Sequence, residues 1–172
     1  MRKLMFLVVT ASLALPALAV AGSPPSPADQ AAAVKQCSTQ RNAMGVAAFQ
    51  ALYAPTSANK SRAFGKCVSH FAQLNEQDRS NAAAQCRSER SADATKFADR
   101  WGTGPSHRGA FGNCVSTTAK AAAAARVQAT INAAKACSTE RNSIGAAAFK
   151  SKYGNTSNAF GKCVSLKVKH SS

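Results

Sequence analysis

Apolar residues recur at helical spacing in the segment 117–137. Val127, Ile131 and Ala134 follow one another at intervals of four and three residues, and the segment is rich in alanine with no glycine or proline. Alanine is the strongest helix former, and this spacing places the three side chains on one face. The pattern predicts an amphipathic connector helix.

An earlier segment shows the same periodicity. Phe64, Cys67, Phe71 and Leu74 occupy one face of a predicted helix, at intervals of three, four and three residues. The polar run NEQDRSN at 75–81 follows directly, and the pattern leaves open whether this run interrupts the helix.

One sequence unit occurs three times. Residues 37–57 align without gaps on residues 137–157, with twelve of 21 positions identical. A more divergent middle copy covers 86–116. Each copy ends in the heptapeptide AFG[KN]CVS, and the copies begin about 50 residues apart, a period typical of repeat architectures.

Each copy contains two cysteines, and six cysteines allow about 15 full pairings. Duplication favours one bond inside each copy. A helix of the 19 residues from Cys67 to Cys86 would hold those sulfurs about 28 Å apart, whereas a disulfide requires Cα atoms within about 7 Å. The predicted pairs are Cys37–Cys67, Cys86–Cys114 and Cys137–Cys163.

Within a copy, the sequence predicts a helix, a turn, a short helix and a polar loop. Gly45 and Gly145 stand where a left-handed glycine would close the first helix. Aromatic pairs four residues apart follow, on one side of the short helix. The pairs are Phe49 and Tyr53, Phe97 and Trp101, and Phe149 and Tyr153.

The heptapeptide is predicted to fasten each copy. Its phenylalanine precedes its cysteine by three residues, so the ring would pack on the aromatic pair while the cysteine bonds to the preceding helix. The glycine between them lacks a side chain and would permit close approach of another backbone. These glycines are Gly65, Gly112 and Gly161.

The N-terminus predicts export. Arg2 and Lys3 precede an apolar run, residues 4–18, and small residues then allow cleavage after Ala19 or Ala21. This is the pattern of a secretory signal peptide. An uncleaved membrane anchor is the alternative, because the run is nearly long enough to span a bilayer. After cleavage no other run is apolar enough to span.

The predicted fold is all-α, with three disulfide-closed helical repeat units joined by long connector helices. An even cysteine count in an exported chain is typical of a disulfide framework. The predicted division is a signal peptide (1–21), a Pro/Ser-rich flexible spacer (22–30) and repeat units at 31–75, 76–120 and 121–172, the last with a basic tail. The sequence leaves open whether the three units stack on one another or are independent.

Charge is distributed unevenly along the chain. Residues 22–99 contain nine basic and six acidic residues, whereas residues 100–172 contain eleven basic residues and one acid, Glu140. Such an excess favours polyanions, although solvated surface lysines are the simpler interpretation. The candidate anion-binding residues are Lys66, Lys150, Lys152, Lys162, Lys167 and Lys169.

Catalytic and metal-binding motifs are not found. There is no C-x-x-C or H-E-x-x-H, and the three histidines recur in no other copy, so no metal or cofactor is expected. The loop GTGPSHRG at 102–109 carries Ser106 and His107, and a small secreted hydrolase using it is the alternative function. Glu89 and Glu140 each precede an arginine, an arrangement more typical of surface charges on a helix than of a catalytic acid.

The pattern C-x3-R…F-x3-[YW]…AFGxCVS resembles a cysteine-pair repeat in exported proteins of high-GC Gram-positive bacteria. The resemblance covers about residues 37–165, and the middle copy departs from it with Trp101 for tyrosine and Asn113 for lysine. It implies export and carries no functional residue over.

The function predicted from the sequence is a secreted, basic, non-enzymatic binding or structural module for anionic cell-envelope polymers. Nucleic acid would be bound only non-specifically, through phosphates. The sequence does not indicate an oligomeric state.

Overall fold

The computed structural model describes residues 24–56, 58 and 60–170. The predicted signal peptide, residues 1–21, lies outside the described residues. Seven α-helices and a 3-10 turn, Lys60–Arg62, make up the described chain, which contains no β-strand, so the all-α fold is confirmed. None of these helices is long and apolar enough to cross a membrane. The helices are α1 (Pro27–Met44), α2 (Val46–Tyr53), α3 (Ala63–Ala92), α4 (Ala94–Trp101), α5 (Ala110–Ile144), α6 (Ala146–Lys152) and α7 (Ala159–His170).

The long connector helices are present. Helix α3 has 30 residues and α5 has 35, and the polar run 75–81 does not interrupt α3. Asn75, the first residue of that run, is buried, and its side chain forms hydrogen bonds with α1. This polar residue therefore contributes to the contact between α1 and α3 and does not end the helix. The boundaries predicted after residues 75 and 120 therefore fall inside helices.

Helix α1 begins within the segment predicted as a flexible spacer, 22–30, so that prediction is wrong from Pro27 onwards. Ser26 and Asp29 form a capping box, in which each side chain accepts a hydrogen bond from the other's backbone N–H. Pro27 occupies the first turn, where its missing N–H costs nothing. The Ser-Pro-Ala-Asp order was thus a helix-start signal.

All three predicted disulfides are confirmed. Cys37–Cys67, Cys86–Cys114 and Cys137–Cys163 have Cα–Cα distances of 6.0, 6.1 and 6.1 Å. Each joins the last part of one long helix to the first turns of the next. Successive long helices therefore run antiparallel, which places the first and third units at one end and the middle unit at the other.

The first and third units pack together and do not sit as separate beads. Val127 and Ile131 of α5 belong to the same core as Phe49 and Phe71 of the first unit. Leu52 of α2 packs against the core of the third unit. The middle unit has a smaller core around Cys86, Phe97 and Cys114.

The joints between long and short helices differ from the predicted left-handed cap. Gly45 and Gly145 have φ of 81° and 82°, but their ψ values of 157° and 154° are extended. Only glycine readily adopts this combination. In the middle unit Asp93 takes this place, with an extended backbone and a side chain that caps α4 by accepting from the Lys96 N–H.

The heptapeptide phenylalanines pack as predicted in the outer copies. The ring centroids of Phe49 and Phe64 lie 6.3 Å apart, and those of Phe149 and Phe160 lie 6.4 Å apart. The prediction for the glycines is wrong. A Cβ on Gly65 or Gly112 would meet nothing within 4 Å, and one on Gly161 would meet the Asn158 side chain instead of another backbone.

Candidate functional site

The predicted anion-binding lysines lie mainly on two consecutive helices. Lys150 and Lys152 are on α6, and Lys162, Lys167 and Lys169 are on α7. Lys162 and Lys169 are exposed and seven residues apart, so they occupy one face of α7. The opposite face, with Phe160, Cys163 and Val164, is buried in the core. This packing holds the α7 cations toward solvent.

A cleft of about 540 Å³ opens beside Lys162. Helices α2, α3 and α7 line it, because α2 packs against α7 across the interface between the first and third units. The lining side chains combine one cation with neutral hydrogen-bonding groups and two leucines. They are Leu52, Tyr53, His70, Asn158, Lys162, Ser165 and Leu166, with Gly161.

Lys66 does not line this cleft. It lies one helical turn before His70 on α3, and both are exposed. Partial desolvation of the ring lowers the pKa of His70 although the residue as a whole is exposed, and the positive charge of Arg126 lowers it further, so the neutral imidazole predominates at neutral pH. A neutral imidazole beside Lys162 can donate or accept a hydrogen bond without adding charge.

Lys152 and Lys167 are engaged by Glu140. Their ammonium nitrogens lie 2.7 and 3.1 Å from its carboxylate oxygens, and the Tyr153 O–H donates to the same carboxylate at 2.9 Å. Hydrogen bonds from Lys152 and Tyr153 hold the pKa of Glu140 at about 2. Glu140 is the only acidic side chain in residues 100–172, and both of its carboxylate oxygens are engaged by these partners.

The contact between Glu140 and Tyr153 repeats in every copy, and sequence reasoning missed it. The residue three positions after the first cysteine accepts a hydrogen bond from the second aromatic residue of the pair. Tyr53 donates to Gln40 at 2.6 Å, and Trp101 donates its indole N–H to Glu89 at 3.1 Å. The sequence pattern that indicates this contact is C-x2-[QE]-R, followed by Tyr or Trp 12 or 13 residues after the Gln or Glu.

The loop 102–109 is a tight turn held by its own contacts. Thr103 and Arg108 pair across it, and His107 has a positive φ of 48°. The His107 Nδ1 lies 3.2 Å from the Ala98 carbonyl oxygen, and its Nε2 lies 3.6 Å from an Asp99 oxygen. Both ring nitrogens therefore contact the preceding helix. Ser106 is exposed, and the hydrolase alternative stays a prediction.

Metal-binding geometry is not found in the part of the chain that the structure describes, where no three His, Cys, Asp or Glu side chains are grouped to hold an ion. Comparisons with protein-family models, with curated proteins and with solved structures found no match to this chain. The resemblance drawn from the repeat motif stays a prediction.

Proposed function

We propose that the protein is a secreted, non-enzymatic module that binds anionic cell-envelope polymers through the cleft formed by α2, α3 and α7. One observation carries the proposal. Lys162 lies in a cleft with His70, Asn158 and Ser165, where a cation and neutral hydrogen-bonding groups converge on one space. A repeated anionic group with neighbouring hydroxyls suits such a lining.

The charge distribution supports the same proposal. Glu140 is paired with Lys152 and Lys167, whereas Lys150, Lys162 and Lys169 are in no ion pair within the part of the chain that the structure describes. Cations that are not neutralised within the protein attract polyanions and release counterions on binding. Three disulfides support the secreted location, because such bonds persist in oxidising compartments.

Salt-dependent binding tests the proposal. The mature, oxidised protein is titrated onto isolated cell envelope over a series of salt concentrations, with double-stranded DNA as the control polyanion. We expect tighter binding to envelope than to DNA at equal salt and a steep salt dependence. Equal binding to both would contradict the proposal, because it would reflect net charge alone.

Two triple variants with the same net charge localise the site. The test variant replaces Lys150, Lys162 and Lys169 with glutamine. The control variant replaces three exposed basic residues of the earlier helices, Arg41, Arg87 and Lys96, with glutamine. Each lost contact should lower the slope of log affinity against log salt by about 0.7–0.9, so the test variant should lose about 2–3 and the control none. Equal losses would contradict the assigned site.

A further inference from the structure

A second concave surface lies away from the lysine cluster. A groove of about 930 Å³ runs between α1 and α5 over the second half of α3. It shares no lining residue with the cleft beside Lys162. Its volume is within the range of sites that enclose a small organic ligand.

The groove exists because its walls carry small side chains. Ala28 and Ala32 line it from α1, Ala83 from α3, and Ala119 and Ala124 from α5. Larger residues at these positions would fill the space between the helices. The small alanine side chains therefore leave an apolar channel between the helices.

The channel is long and narrow. Val115, Ala119, Ala123 and Val127 line it at intervals of four residues along α5. The twelve residue steps from Val115 to Val127 span about 18 Å of helix. Phe111, which also lines the groove, lies under the guanidinium of Arg90. An apolar strip of this length, one side chain wide, fits a single extended alkyl chain.

The charged and amide side chains of the groove fall into two sets. Arg79 pairs with Asp29 at 2.7 Å, and Asn75 bonds to Gln36 and to the Asp29 carbonyl. This set is satisfied by its own members. The other set is cationic.

Lys35 lines the groove from α1 and Lys120 from α5, and both are exposed. Neither is in an ion pair among residues 24–56, 58 and 60–170. The groove thus combines an apolar channel with two cations and no uncommitted acid.

We propose that this groove binds a long-chain alkyl carboxylate, with the chain along the apolar strip of α5 and the carboxylate paired with an exposed lysine of the groove wall. The apolar strip selects the chain, and the positive charges of Lys35 and Lys120 favour an anionic head over a neutral one. This site is separate from the proposed polymer-binding cleft, so either one can fail without the other.

Competition titration tests the proposal in the full oxidised protein. A fluorescent polyene fatty acid serves as the probe, below its micellar concentration, and hexadecanoate, hexadecanol and butanoate compete for it. We expect one probe per protein, displacement by hexadecanoate, at least tenfold weaker displacement by hexadecanol, and none by butanoate. Equal displacement by hexadecanol would overturn the role of the lysines, and displacement by butanoate would overturn that of the channel.

Matched variants on one helix locate the bound chain. Ala124→Leu fills the groove, whereas Ala121→Leu changes an exposed residue of α5 outside its lining. Leucine is a good helix former, so both variants should keep their helical circular dichroism. We expect Ala124→Leu to weaken hexadecanoate at least tenfold and Ala121→Leu to leave it unchanged. Equal effects of the two would overturn the site.

Two further outcomes identify other occupants of the groove. If the protein dimerises and Ala124→Leu abolishes the dimer, a second copy occupies the groove. If the protein binds vesicles of anionic phospholipid but no free carboxylate, the site belongs to a membrane surface. Either result would overturn the proposal.

Discussion

The three disulfides should differ in what their removal does, although they close loops of similar length. The sequence separations are 30, 28 and 26 residues. The chain-entropy model then gives about 3.5 kcal/mol for each bond. A difference among the three bonds must therefore come from the structure that each one supports.

The middle unit has little other support. Phe97 is the one buried aromatic ring of its described core, and burying such a ring contributes about 1.5–3 kcal/mol. The loss of about 3.5 kcal/mol from Cys86–Cys114 exceeds that contribution. The outer units instead share cores with neighbouring helices, including Val127 and Ile131 for the first unit.

We therefore expect local opening when both Cys86 and Cys114 are replaced by alanine. Hydrogen exchange followed by mass spectrometry should show that 94–109 loses its protection while α1 and the second half of α5 keep theirs. The corresponding variants at the other two disulfides should lower the global free energy of unfolding by about 3.5 kcal/mol, measured by urea titration.

Either of two results would contradict this expectation. In one, segment 94–109 keeps its wild-type protection in the variant that lacks Cys86 and Cys114. In the other, all three variants lose the same global stability with no local difference. Reducing the wild-type protein adds a check, because loss of all three bonds should unfold the chain under otherwise native conditions. Unchanged circular dichroism and thermal midpoint in reductant would contradict this.

Two further predictions concern single residues. Gly102→Ala should destabilise the protein by about 1–3 kcal/mol, because the added Cβ would lie 2.6 Å from the Ala98 oxygen and the His107 Cα. Gly65→Ala should instead stabilise the protein by about 0.5–1 kcal/mol, because the added Cβ would meet nothing within 4 Å and alanine favours the helix. Thermal unfolding measures both effects. Glu140→Gln should cost about 1 kcal/mol at neutral pH, because its ion pairs are partly solvated. The Glu140 pKa falls from 4.5 to about 2 on folding, so this contribution is fully present above pH 4.5 and is lost as the pH falls through about 2. Urea unfolding at pH 7 and pH 2 should show that the difference from wild type is smaller at pH 2.

The disulfides and connector helices could be predicted because they depend on local order and duplication. Six cysteines in three equivalent pairs leave one pairing that treats every copy alike, and alanine-rich segments without glycine or proline form helices in most contexts. Helix α1 was placed too late because Ser26 and Asp29 were read as parts of a polar spacer. Their capping box was visible in the sequence.

The groove and the cleft beside Lys162 could not be predicted in the same way. Both depend on how far apart the long helices lie and on which units meet. The antiparallel order of α1, α3 and α5 brings the first and third units together, so Lys162 and His70, 92 positions apart in the chain, line one space. The sequence shows a high alanine content, but whether small side chains leave a groove or allow closer packing is decided by tertiary contacts.

The residue that accepts the hydrogen bond from the second aromatic residue, Gln40 in the first copy and Glu140 in the third, matches the polarity of its neighbours. Aligned on the third copy, the positions of Lys152 and Lys167 are occupied in the first copy by Leu52 and the core residue Phe71. The first copy accordingly has a neutral acceptor, Gln40, which is fully buried.

Gln40→Glu should therefore be more damaging than Glu140→Gln, although both exchange the same two residue types. A carboxylate at position 40 would be buried without a cation, and such a group costs several kcal/mol or takes up a proton instead. We expect the loss of unfolding free energy to exceed about 2 kcal/mol at neutral pH and to shrink as the pH falls and the carboxylate becomes protonated. Urea titration of both variants at pH 7 and pH 4 measures this. Equal and pH-independent losses would show that burial does not determine the choice of acceptor.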